Sequence, residues 1–169
     1  MGKPTTKAWF ATTAFALAGL VSLLFFAMVS RYLLPHSIFY YVLVLNTFFS
    51  IRFFSDILEP SPRQTAVDTI LVVLYIVLAY SLGNAFAFSL AATCLFLVAT
   101  AKYVIELDSN PHVSVLKRKI SLDLLGAALC ASALGGTLMG YPLESAWTLA
   151  AVFALANVYL LLIRPMYRL

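Results

Sequence analysis

Long apolar segments separated by short polar turns run through the whole chain. A helix needs about 20 predominantly apolar residues to cross a bilayer, and the chain divides into six apolar segments, of which the third and fifth are rather short. The pattern predicts a single transmembrane domain over residues 1–169. Its six spans are predicted at approximately 8–30, 38–58, 66–80, 85–107, 120–134 and 146–163.

Turn signals divide the apolar sequence where the spans are predicted to end. Pro35 and His36 follow the first span, and two prolines between residues 59 and 63 follow the second. Proline ends a helix and restricts the residue before it. Residues 66–101 are almost continuously apolar and too long for one crossing, so they predict a helical hairpin with a turn at 81–84.

Composition supports placement in a lipid bilayer. The chain is 63% hydrophobic and only 11% charged, against about 45–50% apolar and about 25% charged in soluble domains. A soluble fold needs a polar exterior and could not bury this much apolar surface. The predicted fold class is therefore an all-α integral membrane protein, a bundle of six transmembrane helices.

The basic residues predict the orientation of the bundle. Ten of the eleven Lys and Arg residues fall on one side: at the N-terminus, the 2–3 turn, the 4–5 loop and the C-terminus, with Arg31 alone on the other. Cytoplasmic segments carry such an excess. We expect both termini in the cytoplasm and the chain in the plasma (inner) membrane of a bacterium. Orientation accounts for the net charge of +4, so we expect no nucleic-acid partner.

Eight charged residues near the predicted cytoplasmic boundary form a recurring pattern. Spans 2 and 4 each end in a base, an aromatic residue, two further residues and an acid, and spans 3 and 5 each open with a base followed five residues later by an acid. This predicts a parallel repeat of a helical hairpin, spans 2–3 and 4–5; the general gathering of charges at membrane edges is the alternative explanation. The eight residues, called here the charge set, are Arg52, Asp56, Arg63, Asp68, Lys102, Glu106, Arg118 and Asp123.

Two functions are open for the charge set. It is either a pathway for an ion or small charged solute, or a structural ring of ion pairs. Arg52/Asp56 and Lys102/Glu106 are spaced i,i+4, so each pair shares a helix face. We hypothesise that Asp56 and Glu106 respond to the solute or proton, with Arg52 and Lys102 as counter-ions. Because the bases already neutralise the acids, we predict no metal site.

Two amides lie deep in the predicted spans, Asn46 in span 2 and Asn157 in span 6. Such groups either line a pore or form hydrogen bonds between helices. Both interpretations stay open at this stage.

Sequence motifs do not indicate an enzyme or a cofactor. The chain has no GxxxxGK[ST], GxGxxG or HExxH motif, and its two histidines are predicted on opposite sides of the membrane. The leading expectation is a small polytopic transporter or channel for an ion or small charged solute. One alternative is a non-catalytic accessory, assembly or immunity subunit that docks another membrane protein.

A second alternative is a lipid-modifying membrane enzyme, with acidic residues beside the basic triplet 117–119 meeting a phosphorylated head group. The expected partners are the lipid bilayer and either a second copy of the chain or another membrane protein.

Overall fold

Six long helices account for nearly all of the structure. A computed structural model of the protein describes residues 3–26, 30–58, 61–107 and 113–164, and no β-strand occurs within these ranges. A short π-helical turn, Tyr159–Ile163, extends the last helix. The helices are α1 (Lys3–Phe26), α2 (Leu33–Ile57), α3 (Pro62–Tyr80), α4 (Ala85–Ile105), α5 (Val113–Leu138) and α6 (Pro142–Val158).

All six helices are long and apolar enough to cross a membrane. This confirms the prediction of an all-α fold with six candidate membrane spans. Many large apolar side chains lie on the outside of the bundle, Phe10 at 81% exposure and Leu24 at 75% among them. Such an exterior is costly in water and suits contact with lipid.

Helices α3, α5 and α6 begin several residues before the predicted apolar spans. Pro62 and Pro142 occupy the first turns of α3 and α6, where a missing N–H costs no hydrogen bond. Ser61 caps α3 by accepting a hydrogen bond from the Gln64 N–H at 3.2 Å, and Asn84 caps α4 by accepting from the Ala87 N–H at 3.0 Å. Helix α5 begins at residue 113 and so includes the basic triplet 117–119.

Some predicted features fall outside the described residues. They are residues 27–29 near the predicted end of span 1, residues 59 and 60 of the 2–3 turn, residues 108–112 of the 4–5 loop, and Arg168. Pro35 and His36, predicted to mark a turn, lie instead in the first turn of α2. Proline is tolerated there because the N–H groups of a first turn have no partner within the helix.

The helices pack in a ring whose order differs from the chain order. Helix α1 packs on α2, α2 on α6, α6 on α5, α5 on α4, α4 on α3, and α3 back on α1. The predicted hairpin of spans 3 and 4 is present, with its turn at 81–84.

The two hairpins of the predicted repeat pack differently. Helices α4 and α5 contact each other extensively, whereas α2 and α3 make at most marginal contact. Gly126 of α5 allows the close approach of α4, since a Cβ at this position would lie 2.7 Å from Cε1 of Phe96. The structure therefore gives hairpins 2–3 and 4–5 no common packing arrangement.

The interior differs between the two ends of the bundle. The larger hydrophobic core fills the middle and the end that holds the start of α2 and the α3–α4 turn, with Phe39, Leu78, Leu82 and Phe88 fully buried. A smaller cluster around Phe54 lies at the opposite end. Between the two clusters the packing is incomplete, and the space left there is the candidate site.

Candidate functional site

A cavity of about 410 Å³ lies inside the bundle, at the end where α1, α3 and α5 begin. This volume falls within the range of about 300–1,000 Å³ that is usual for small-molecule sites. We call it the charged cavity. Its charged lining residues are Lys7, Asp68, Lys102, Lys119 and Asp123, and its amide and hydroxyl lining residues are Asn46, Thr47, Ser50, Ser55, Gln64, Thr65, Tyr75 and Tyr103.

The charged lining residues lie toward the open end of the cavity, and those at the deep end are uncharged. Lys7 and Thr65 are exposed at the open end. Leu43 and Phe96 lie at the deep end. Along α2 the lining runs from Ser55 to Leu43, which at about 1.5 Å per residue makes the cavity roughly 18 Å deep. A solute in this cavity would meet charges at the mouth and hydrocarbon further in.

The first ion pair in the charged cavity joins two helices. Nζ of Lys102 on α4 lies 2.5 Å from Oδ1 of Asp68 on α3. The lysine side chain is 15% exposed and the aspartate 35%. This pair is therefore partly open to whatever fills the cavity.

The second ion pair lies within α5 and is more deeply buried. Nζ of Lys119 lies 2.5 Å from Oδ1 of Asp123, one turn further along the helix, and the two side chains are 9% and 3% exposed. The ammonium group also lies 5.6 Å from the centroid of the Tyr103 ring, within reach of a cation–π interaction. Oδ2 of Asp123 is buried and has no hydrogen-bond partner among the described residues.

Hydroxyl groups form one wall of the cavity. Thr47 of α2 is hydrogen-bonded to the Tyr75 hydroxyl of α3. Oγ of Ser50, also on α2, lies 3.2 Å from the Tyr103 hydroxyl of α4. These groups can both donate and accept, so the wall offers hydrogen bonds to solutes of either charge.

An aromatic layer closes the deep end. The rings of Phe15 on α1 and Tyr75 on α3 stack with centroids 4.2 Å apart. The hydroxyl of Tyr40, a fully buried residue of α2, donates to the carbonyl oxygen of Phe15 at 2.8 Å. Three helices are thus tied together directly beneath the cavity.

The structure brings together only part of the predicted charge set. Asp68, Lys102 and Asp123 line the charged cavity, as does the predicted amide Asn46. The other five members of the set do not line it. Arg52, Asp56, Arg63 and Arg118 are exposed, and Glu106 is half-buried at the end of α4.

Neither of the two i,i+4 pairs on α2 and α4 forms an ion pair within the described residues. Lys102 pairs with Asp68 of the neighbouring helix instead of Glu106. No ion pair joins Arg52 to Asp56 anywhere in the described part of the chain. Both of those side chains lie on an outer surface of α2, where water competes for each charge and a solvated pair gains little.

Asn157 makes its described hydrogen bond within its own helix, whereas the sequence left open a pore-lining position or a hydrogen bond between helices. Its Nδ2 donates to the Phe153 carbonyl oxygen at 2.9 Å, one turn back on α6 itself. The residue is buried, does not line the charged cavity, and its Oδ1 has no partner in the ranges that the structure covers. The hydrogen bond is therefore within one helix, not between two.

Sequence reasoning missed two cationic members of the site, Lys7 and Lys119. Lys7 was counted only as an orienting charge, and Lys119 only as an orienting charge and a member of the basic triplet 117–119. A signal for Lys119 was present, because it precedes Asp123 by four residues and an i,i+4 pair shares one helix face. Nothing in the sequence indicates that Lys7 of α1 lies near residues of α3, α4 and α5.

Six helices long and apolar enough to span a membrane, around a partly charged interior, fit the class of multi-pass membrane proteins. Comparison of the chain with protein-family models, with curated proteins and with solved structures finds no match.

Proposed function

We propose that the protein is a small membrane carrier that binds a charged solute in the cavity among α1 to α5. The observation that carries this proposal is the cavity itself, whose lining brings together five charged residues from four helices. Ionisable groups within a membrane-embedded bundle are costly and usually mark a pathway for an ion or solute. A purely structural bundle has no need of an open space beside them.

The closed end of the cavity favours a carrier over an open channel. The layer of Phe15, Tyr40 and Tyr75 lies across the deep end, and the packed core continues beyond it. A carrier exposes its site to one side of the membrane at a time. A cavity reached from one end and sealed at the other is the form that this cycle requires.

We further propose that the cavity faces the cytoplasm of a bacterial inner membrane. Lys7, Arg63, Lys102 and the basic triplet 117–119 gather at its open end. The excess of basic residues supports a cytoplasmic position for that end and for both termini.

Transport of solutes by the purified protein in liposomes tests the proposal. The panel contains potassium, chloride, glycine, benzoate and benzylamine, each as a labelled tracer. The blocking variant is Ala99→Trp, because Ala99 lines the cavity, and the matched control is Ala101→Trp, because Ala101 is exposed on the same helix outside it. We expect saturable uptake of at least one solute, abolished in Ala99→Trp and retained in Ala101→Trp.

Other results would point to the alternatives. Absence of saturable uptake for the whole panel contradicts the carrier. If uptake is absent and a membrane protein co-purifies in stoichiometric amounts from native membranes, a docking subunit would be favoured. Chemical change of a phosphorylated lipid supplied in the liposomes would favour a lipid-modifying enzyme.

A further inference from the structure

The buried pair of Lys119 and Asp123 is the strongest chemical feature of the charged cavity. Both residues line the cavity, and their side chains are almost fully shielded, at 9% and 3% exposure. A buried ion pair is a weak means of stabilising a fold, because desolvation offsets much of the attraction between its charges. Its position at a cavity wall calls for another role.

One carboxylate oxygen of Asp123 accepts a hydrogen bond, and the other has no partner among the described residues. Oδ1 accepts from Lys119, while Oδ2 is buried, faces no hydrogen-bond partner in the described ranges, and belongs to a residue that lines the cavity. An ionised carboxylate only accepts hydrogen bonds, whereas a protonated one can also donate. Oδ2 is therefore the atom on which a proton would reside.

Other helices supply the remaining charged groups that face this pair across the cavity. Lys7 of α1 and the Lys102–Asp68 pair of α4 and α3 line the same cavity, and the Tyr103 ring of α4 lies near the ammonium group of Lys119. The described lining residues of α2 are uncharged, and α6, which also packs on α5, contributes none of them. Three lysines and two aspartates leave the described lining with one excess positive charge.

We infer that the Lys119–Asp123 pair is where a proton and a small organic monoanion bind together, so that the carrier performs symport of the two. The inference rests on the proposed carrier function. Asp123 takes one proton from water and becomes a neutral acid, Lys119 keeps its proton, and the negative charge of the solute replaces that of the carboxylate. The O–H bond that forms on Oδ2 replaces one broken in a hydronium ion of the surrounding water, and no other covalent bond forms or breaks.

Charge balance is the reason that the two bind together. A proton alone adds one positive charge to a water-poor space, and an anion alone adds one negative charge. The proton alone would raise the excess of the lining from one positive charge to two, and the anion alone would meet the negative carboxylate of Asp123 at close range. Both are costly where the dielectric constant is low. Binding both leaves the net charge of the cavity unchanged, so each ligand raises the affinity of the other by the same factor.

The deep end of the cavity selects an organic anion. Phe15, Leu43 and Phe96 line that end, below the charged groups. Apolar surface of this kind favours a solute that carries hydrocarbon beside its charge. A small carboxylate with an aromatic or aliphatic body fits both parts of the lining.

Benzoate is the probe, with benzylamine and benzyl alcohol as cationic and neutral analogues of similar size. Binding to the purified protein in detergent is measured by calorimetry, and proton uptake by a pH indicator in weakly buffered solution. We expect benzoate to bind best of the three, with uptake of one proton per benzoate. Above the pH at which the free site loses its proton, the affinity should fall about tenfold for each pH unit, as linkage to one proton requires.

Variants separate Asp123 from the other carboxylates. Asp123→Asn resembles the protonated acid, so benzoate should bind it without proton uptake and with little pH dependence. Asp123→Glu keeps a carboxylate and should retain proton uptake. Asp56→Asn is the matched control, because Asp56 is exposed and lies outside the lining, and it should behave like the wild type.

Failure of the inference can be told from failure of the carrier. Benzoate binding by the wild type without proton uptake overturns the inference, and this measurement needs no variant to fold. Proton uptake that persists in Asp123→Asn, or tighter binding of benzylamine than of benzoate, overturns it equally. Lack of benzoate binding also overturns it, whereas the carrier itself fails only when the whole solute panel shows no saturable uptake.

Discussion

Nζ of Lys102 on α4 lies 2.5 Å from Oδ1 of Asp68 on α3, so one ion pair links two helices at the mouth of the charged cavity. The residues are 34 positions apart in the chain. Their contact exists only because α3 and α4 form neighbouring members of the helix ring. The pair holds the two helices in register and at the same time presents charge to the cavity.

The Lys102–Asp68 contact should give a measurable coupling energy. We expect a double-mutant cycle with Lys102→Gln and Asp68→Asn to yield about 0.5 kcal/mol, because an aspartate that is 35% exposed is partly screened by solvent. The measurement is denaturant unfolding in mixed micelles. The control cycle uses Arg52→Gln and Asp56→Asn, which form no ion pair in the structure, and a coupling no larger than in that control would contradict the contact.

Gly126 and Gly135, both on α5, should respond in opposite ways to alanine. A Cβ at Gly126 would lie 2.7 Å from Cε1 of Phe96, whose ring is 4% exposed and has little room to move. Overpacking of this kind costs about 1–3 kcal/mol of unfolding free energy. At Gly135 nothing lies within 4 Å, so alanine should stabilise the helix by about 0.5–1 kcal/mol.

Thermal unfolding of Gly126→Ala and Gly135→Ala in the same detergent makes this comparison. Because Phe96 also lines the charged cavity, Gly126→Ala should in addition weaken solute binding. Equal stability of the two variants would show that α4 and α5 do not approach as closely as described.

His36 should stabilise the end of the bundle opposite the cavity. Its Nδ1 lies 2.8 Å from the Leu82 carbonyl oxygen, which can only accept, so Nδ1 carries the proton; the ring also stacks on Phe88 at 4.1 Å. His36→Phe keeps a stacking ring but leaves that buried carbonyl without its donor. We expect a loss of about 1–3 kcal/mol in unfolding free energy.

A second variant separates the hydrogen bond of His36 from its stacking. His36→Asn keeps a donor near the position of Nδ1 and loses the ring. Solute binding should be unchanged in both variants, because His36 lies outside the lining of the charged cavity. Wild-type stability in His36→Phe would show that the hydrogen bond to Leu82 has no energetic role.

Cysteine labelling should place the two ends of the bundle on opposite sides of the membrane. The chain has two cysteines, and the background for labelling is Cys94→Ser with Cys130→Ala. Single cysteines then replace four exposed residues: Arg31, Arg63, Arg118 and Glu144. In intact cells an impermeant maleimide should label positions 31 and 144, and positions 63 and 118 only after permeabilisation.

Labelling of positions 31 and 118 from the same side would contradict the topology. It would also remove the argument that the cavity faces the cytoplasm. Labelling of all four positions in permeabilised cells is the control for reactivity.

The helices themselves were predictable from sequence, while the partners of individual charges were not. The hairpin of α3 and α4 followed from the length of one apolar stretch and a turn at 81–84. Periodicity placed Lys102 on one face of its helix with Glu106, four residues away. It could not indicate that Asp68 of α3 would stand beside that face, because the position of a neighbouring helix depends on packing of the whole bundle.

Only part of the site was predicted, because the sequence does not fix how neighbouring helices pack against one another. Asp68, Lys102, Asp123 and Asn46 were named from sequence and line the cavity, whereas Asp56 and Glu106, the hypothesised responsive groups, do not. Residues of the charge set share a similar depth, which the sequence specifies. Whether each side chain points inward or outward depends on helix rotation, which the sequence pattern alone leaves open.

Sequence by itself determined that the chain forms six long apolar helices. So apolar a chain suits a lipid environment, where each backbone N–H and C=O must find its partner within the protein, and a helix provides those partners within one segment. Tertiary structure decided the rest: the ring order, the pairing of Lys102 with Asp68, and the burial of Asp123 at a cavity wall. Contacts of this kind arise from how bulky and small side chains fit between helices far apart in the chain, and that fit is a property of the assembled bundle.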